Sequence, residues 1–209
     1  MSPIPMSDIP GYKKLHDLVY DALDLSQESQ AVEFKGSAEW NSLKWRVIRT
    51  AMAMGNLRDG GIIIIGVAEV GDKWDLSGIE TAHLATYDAD DVIDTTNSYA
   101  SPPLGMRIAR TKYSHNREFL ILQVDEFDHT PHVCKKNGPP GSNLVEGEFY
   151  IRPPGKPQTK KPSNAQEMQD LLELAAEKTA RRMIETFHRV SLASSPSPRE
   201  RFDAELEGL

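Results

Sequence analysis

Four consecutive isoleucines between glycines, in Gly60-Gly61-Ile62-Ile63-Ile64-Ile65-Gly66-Val67, restrict this chain more than any other feature. β-Branched side chains favour extended backbone. A run that is apolar at every position, rather than every second one, has no face to give to water. The run therefore reads as a strand buried on both faces and central in its sheet, entered through a turn at Asp59-Gly60-Gly61.

Around it the periodicity alternates between helix and strand. Leu15, Leu18, Val19, Ala22 and Leu23 recur at helical spacing and predict a helix over Tyr12–Leu23. Ala31 to Lys35 reads as a strand. Trp40, Leu43, Val47, Ile48, Ala51 and Met54 form an apolar helical stripe that ends before Gly55-Asn56, with Arg46 and Arg49 neighbours on the other side. A helix is expected over Asp90–Tyr99, a hairpin from Met106–Tyr113 and Glu118–Val124, and a short strand at Glu148–Arg152. Ser163 and Gln166 have capping-box spacing and start a long helix carrying Met168, Leu171, Leu172 and Ala175 on one face. The sum is an α/β (α+β) chain with a single mixed-sheet domain flanked by N- and C-terminal helices. The expected division is an N-terminal extension and helix over 1–24, the domain with its C-terminal helix over 25–190, and a flexible Pro/Ser-rich tail over 191–209.

At 209 residues one core is expected rather than two. With 39% hydrophobic and 26% charged residues the composition is that of a soluble globule. No stretch has the length of apolar residues that a membrane span needs. The N-terminus lacks a basic segment followed by an apolar one, and a single cysteine, Cys134, excludes an intrachain disulfide framework. Cytoplasmic residence is expected. The net charge of −7 argues against a broad basic surface that coats duplex DNA. Charge is nevertheless uneven: Lys135 through Lys161 holds six basic residues against Glu146 and Glu148, with Phe149 and Tyr150 interleaved. Basic plus aromatic residues can grip phosphates and stack on bases; a solvated face is the plainer reading of the same run.

Three carboxylates stand out. Glu33 lies inside an apolar strand, where an ionised group is costly unless paired or bound to a cation. Glu28 precedes it by five residues, so the two share a side of the chain only if the backbone bends near Ser29-Gln30. Glu69 follows the central strand, where open α/β sheets often place functional groups. Clusters of this kind bind Mg²⁺ or Mn²⁺, which activate water and offset charge on a phosphate. Equally, Glu28 could be a solvated loop acid, Glu33 the partner of a Lys or Arg, and Glu69 a surface residue. The Asn56–Gly61 turn has glycines that could expose N–H groups to phosphate, or could simply join a helix tightly to a strand. No Gly-Lys-Ser/Thr follows, so ATP binding is not expected. His132 and Cys134 lack the further ligands of a zinc site and read as structural.

In order along the chain, ESQAVEFK, AMAMGNLRDGGIIIIGVAE, TPHVCKK and EGEFYIRPPGK resemble the Schlafen AlbA domain, over about Leu25 to Gly155. The resemblance implies a mixed α/β fold and a partner that is nucleic acid, RNA more than DNA. It also implies a divalent-metal-dependent endoribonuclease in which Glu28, Glu33 and Glu69 hold Mg²⁺ or Mn²⁺ and its water. Lys35, Arg46, Arg49, Arg152, Lys156 and Lys160 would contact nucleic acid. A non-catalytic nucleic-acid-binding module and a regulatory or scaffold protein are the other readings. Glu69 stands where the family commonly has Asp, and Met54-Gly55-Asn56 replaces the commoner Ala-Asn junction. Vertebrate Schlafen cores resemble two such lobes closed as a clamp, so a one-lobed chain is expected to work as a homodimer.

Overall fold

The computed structural model describes residues 2–9, 11–155 and 157–193. Its elements, in chain order, are β1 (Ile4–Pro5), α1 (Tyr12–Leu25), β2 (Val32–Lys35), α2 (Trp40–Gly55), β3 (Gly61–Ile65), β4 (Ala68–Val70), β5 (Lys73–Asp75), α3 (Thr81–Leu84), α4 (Ala89–Asn97), β6 (Ala100–Ser101), β7 (Met106–Tyr113), β8 (Arg117–Val124), β9 (Val133–Cys134) and α5 (Ala165–Ala193). The isoleucine run is β3, fully buried and flanked on both sides in a five-stranded mixed sheet of order β1-β7-β8-β3-β2. It runs parallel to β2, with Glu33 opposite Ile63, and antiparallel to β8, with Ile63 opposite Leu122.

Strand alternation divides the isoleucines between two cores. Ile62 and Ile64 pack with Val32, Phe34 and Ile121 under the apolar face of α1, whose Leu15, Val19, Ala22 and Leu23 are buried there. Ile63 and Ile65 face the other way, with Leu120 and Leu122, onto α2 and Val92 of α4. A third, smaller cluster of Phe127, Ile151 and Leu171 anchors the start of α5.

Two local expectations change. Glu148–Arg152 makes only isolated bridges, Phe149 with Val133 and Ile151 with Lys160, because the chain here crosses between segments instead of joining a sheet. The cap of α5 sits one residue later than its spacing predicts. Asn164 Oδ1 accepts the Glu167 N–H at 2.9 Å, and the Glu167 carboxylate reaches back to the Ser163 N–H at 2.8 Å. Gln166 instead donates to Asp170. The tail expected over 191–209 falls, from residue 194 onward, outside the described residues.

Candidate functional site

Between Ser29 and Val32 the chain reverses on reciprocal backbone hydrogen bonds of 3.1 and 3.3 Å. The reversal folds Glu28 back along β2, where its Oε1 accepts the Phe34 N–H at 2.7 Å. Burial raises the Glu28 carboxyl above its ordinary range; the Phe34 hydrogen bond opposes that, and the nearby Glu33 charge reinforces it. The bend thus brings these two carboxylates within electrostatic reach despite their odd spacing.

Glu33 leaves β2 on the side opposite Val32 and Phe34, and both of its oxygens are taken by cations. Lys35 Nζ bonds one, and Arg152 Nη1 bonds the other at 2.5 Å. Arg152 is the centre of the arrangement. Its side chain is 0% exposed. Nε donates to Gln30 O at 2.7 Å, and Nη2 donates to Ser29 O at 2.9 Å and Val32 O at 3.2 Å. Gln30 Nε2 returns a bond to Arg152 O at 2.5 Å. Thr159 Oγ1 accepts from Nη1 at 3.4 Å and donates to Thr50 on α2 at 3.3 Å. A guanidinium suits this place because its fixed fork satisfies several acceptors at once, and a buried charge is tolerable only when so satisfied.

Glu69 does not join. Gly66, at φ +116°, turns the chain out of β3 into the separate β4–β5 hairpin. There Glu69 is exposed and opposite Trp74, whose ring packs edge-on against Phe34, on the sheet face away from Glu33. Among the described residues no three His, Cys, Asp or Glu side chains gather so as to hold a metal ion. A divalent cation at Glu33 would also have to displace both Lys35 and Arg152. The donor set therefore does not fit Mg²⁺ or Mn²⁺ as it stands.

The expected nucleic-acid contacts are redistributed as well. Arg152 cannot touch phosphate, being buried with its donors engaged. Lys35 is held by Glu33 and the Phe34 carbonyl. Lys160 is held by Glu167 at 2.5 Å and Ser163 at 2.9 Å. Lys156 lies outside the described residues. Arg46 is exposed on α2, and Arg49, half-buried one turn on, has an Nε with no hydrogen-bond partner.

The second, third and fourth sequence motifs meet at Asn56. Its amide donates to His132 O at 2.9 Å and Tyr150 O at 3.1 Å, and its Oδ1 accepts the His132 N–H at 2.7 Å. His132 is buried, which lowers its pKa, and its Nδ1 bonds the Pro102 carbonyl. Gly55 is required for this approach, since a Cβ there would lie 2.5 Å from Leu104 and 2.6 Å from the His132 ring. The Asn56–Gly61 turn is a tight joint rather than a phosphate cradle. The Asp59 N–H bonds Glu126 and the Gly60 N–H bonds Leu57 O.

Spacing did not point to one further group. Trp45, partly buried at the edge of the core, lies edge-on to Tyr99 with centroids 5.5 Å apart. Lys44 Nζ sits 4.8 Å from the Trp45 ring centroid, and Lys136 Nζ 4.4 Å from that of Tyr99. The available signal was Trp45 itself, an aromatic off the apolar stripe between Lys44 and Arg46.

The family model described as Schlafen, AlbA_2 matches residues 28–160, the span that contains every residue of the Arg152 and Asn56 networks. The chain belongs to that family. Among solved structures it is similar to the crystal structure of the DIP2311 protein from Corynebacterium diphtheriae. Identity is 14% and the TM-score 0.42, over 64% of this chain and only 22% of that one. It is also similar to the solution structure of the N-terminal domain of a RecG-related protein from Nitrosomonas europaea, at 23% identity and a TM-score of 0.41, over 60% of this chain and 84% of that one. Both likenesses are too distant to carry function across. A comparison with the curated proteins found no match. Among the described residues no helix is long and apolar enough to cross a membrane.

Proposed function

We propose that this chain is a nucleic-acid-binding module of the Schlafen AlbA_2 family, in which the glutamates of the first motif hold the fold instead of a metal. Membership of the family supports the nucleic-acid partner. The observation that carries the rest is the neutralisation of both Glu33 oxygens by Lys35 and the buried Arg152. The competing reading is a Mg²⁺- or Mn²⁺-dependent endonuclease on structured RNA. It requires Arg152 to release Glu33 and Glu69 to leave its hairpin, which would open the most buried ion pair of the motif.

Incubation of the full chain with labelled tRNA and labelled single-stranded DNA, with Mn²⁺ or with EDTA, separates the two. The expected result is binding without cleavage under either condition, with wild-type binding weakening as salt rises because phosphate contacts release counterions. Cleavage that needs Mn²⁺ and disappears in a folded Glu33→Gln variant would establish the nuclease.

We also propose that the working unit is a homodimer built through α5. Beyond its anchored start this helix exposes large apolar side chains, with Leu172 56%, Met183 58% and Phe187 71% accessible. Helical spacing places these three on one flank, the pattern of a seam that pairs with another helix. α1, by contrast, spends its apolar face on its own sheet. Light scattering after size exclusion should give about twice the 23.3 kDa chain mass, and Met183→Glu with Phe187→Glu should reduce it to one. A monomer mass for the unaltered chain at every concentration removes the dimer.

A further inference from the structure

The nucleic-acid-binding reading leaves open which surface does the binding. The strip first considered, Lys135 to Lys161, is largely consumed by internal pairs: Arg152 with Glu33, Lys160 with Glu167, and Lys161 with Glu148 at 3.1 Å. What stays open is its N-terminal end, next to α2.

The fold assembles that end from three distant segments. α2 contributes Lys44, Trp45, Arg46 and Arg49, and it contains no acidic residue although the whole chain carries a net charge of −7. Positions 45 and 49 are one turn apart and adjacent on the helix surface. Tyr99 follows α4 and leads into β6, which pairs antiparallel with β9, Ala100 opposite Cys134. That ladder delivers the exposed Lys135 and Lys136 beside it, the Lys135 N–H bonding Tyr99 O at 2.7 Å. A continuous row results, Lys44 over Trp45, Trp45 edge-on to Tyr99, and Tyr99 under Lys136. Both residues are partly buried against the core and partly exposed. Arg49, with its buried Nε unpartnered, stands beside the row.

Each ring packs one side against the core and keeps part of its surface open beside a lysine ammonium group. An aromatic platform flanked by cations is what a single strand of nucleic acid needs: bases stack on the rings, and the cations follow the phosphates. A duplex keeps its bases stacked on each other and would meet only the charges. Resting on the reading given above, we infer that the Lys44–Trp45–Tyr99–Lys136 row is the face on which this protein binds single-stranded nucleic acid, with Arg46 and Arg49 contacting its phosphates.

The test uses the full chain and fluorescence anisotropy with a labelled oligo-uridine, an oligo-thymidine of equal length and a matched duplex. Lys44→Glu with Lys136→Glu changes two side chains whose contacts are ring faces and, for Lys44, the exposed Asn41 side-chain oxygen, so folding should be retained, and thermal melting verifies this. Trp45→Phe keeps the packing ring while removing the larger stacking surface. The expected result is that both single strands bind more tightly than the duplex. The charge reversal should weaken single-strand binding by about tenfold or more, and Trp45→Phe should weaken it less while abolishing most of the tryptophan quenching on binding. If the wild type binds single strands and the folded double reversal binds them equally well, this face is not the site although the nucleic-acid reading survives. Preference for the duplex likewise overturns the assignment. If the wild type binds none of the three, the assignment and the reading beneath it both fall.

Discussion

Arg152→Met is expected to destabilise the chain by about 3–5 kcal/mol, the cost of stranding one member of a buried ion pair. That is a large share of the stability of an ordinary domain. Glu33 would lose the partner at 2.5 Å and keep only Lys35, and the carbonyls of Ser29, Gln30 and Val32 would each lose a donor. Arg152→Lys should recover little, because one ammonium cannot span a carboxylate and three carbonyls. The double variant Arg152→Met, Glu33→Met separates the two contributions. Removing both charges should restore most of the ion-pair part, less what Lys35 loses with Glu33, and leave the carbonyl part, so its stability should fall between wild type and Arg152→Met. Urea denaturation of the four proteins measures this. A single variant as stable as wild type would show that Arg152 is not the clamp. One practical point follows for nuclease assays: loss of an activity in an Arg152 or Glu33 variant is informative only beside a melting curve.

Gly60→Ala should be nearly as damaging by a different route. Gly60 sits at φ +70°, and a Cβ there would meet Val124 O at 2.1 Å, with Glu126 N at 2.9 Å. A left-handed backbone at an ordinary residue costs roughly 1–3 kcal/mol. The clash adds to that, because the opposing atoms are backbone at the end of β8 and have no rotamer in which to retreat. Low soluble yield and a melting temperature far below wild type are expected. Gly71→Ala, also at positive φ but with nothing near the added Cβ, is the control and should show only the backbone cost. If the two variants melt together, the close approach of β8 has no energetic weight.

The elements whose signal is local were legible in the sequence. β3 is apolar at every position because it is covered on both sides, and the α1 and α2 stripes are continuous because each packs along its length. The cap of α5 was displaced by one residue because Ser163 and Asn164 can both cap. The choice fell to Glu167, whose charge serves the helix N-terminus and Lys160 together. That Glu33 needs a partner was legible from its place in an apolar strand. Which partner was not, since Arg152 lies 119 residues away and spacing carries no information over that distance. Arg152 looked like a phosphate ligand for the same reason, as sequence does not reveal that its guanidinium points inward. Glu69 was misplaced at the positive φ of Gly66, where the chain leaves β3 so that Ala68–Val70 form a separate hairpin. Tyr99 could be matched to Trp45 only once the packing of α4 on α2 was known, and to Lys136 only once the β6–β9 ladder was known.

The Arg152 clamp also sets an order of events on the ribosome. The first motif turns back on itself near residue 30, yet its donors are contributed from 119 to 123 positions later. Asn56 likewise waits for His132 and Tyr150, 76 and 94 positions downstream. During synthesis the N-terminal half therefore emerges with Lys35 as the one cation near Glu33 and with its turn carbonyls short of the Arg152 donors, and these groups stay hydrated until the segment around Tyr150 arrives. Contacts of such long sequence separation form late and slow the search for the native state. The isoleucine strand, by contrast, gains its second neighbour once β8 is made, whereas the closing step belongs to a part of the chain with almost no regular structure.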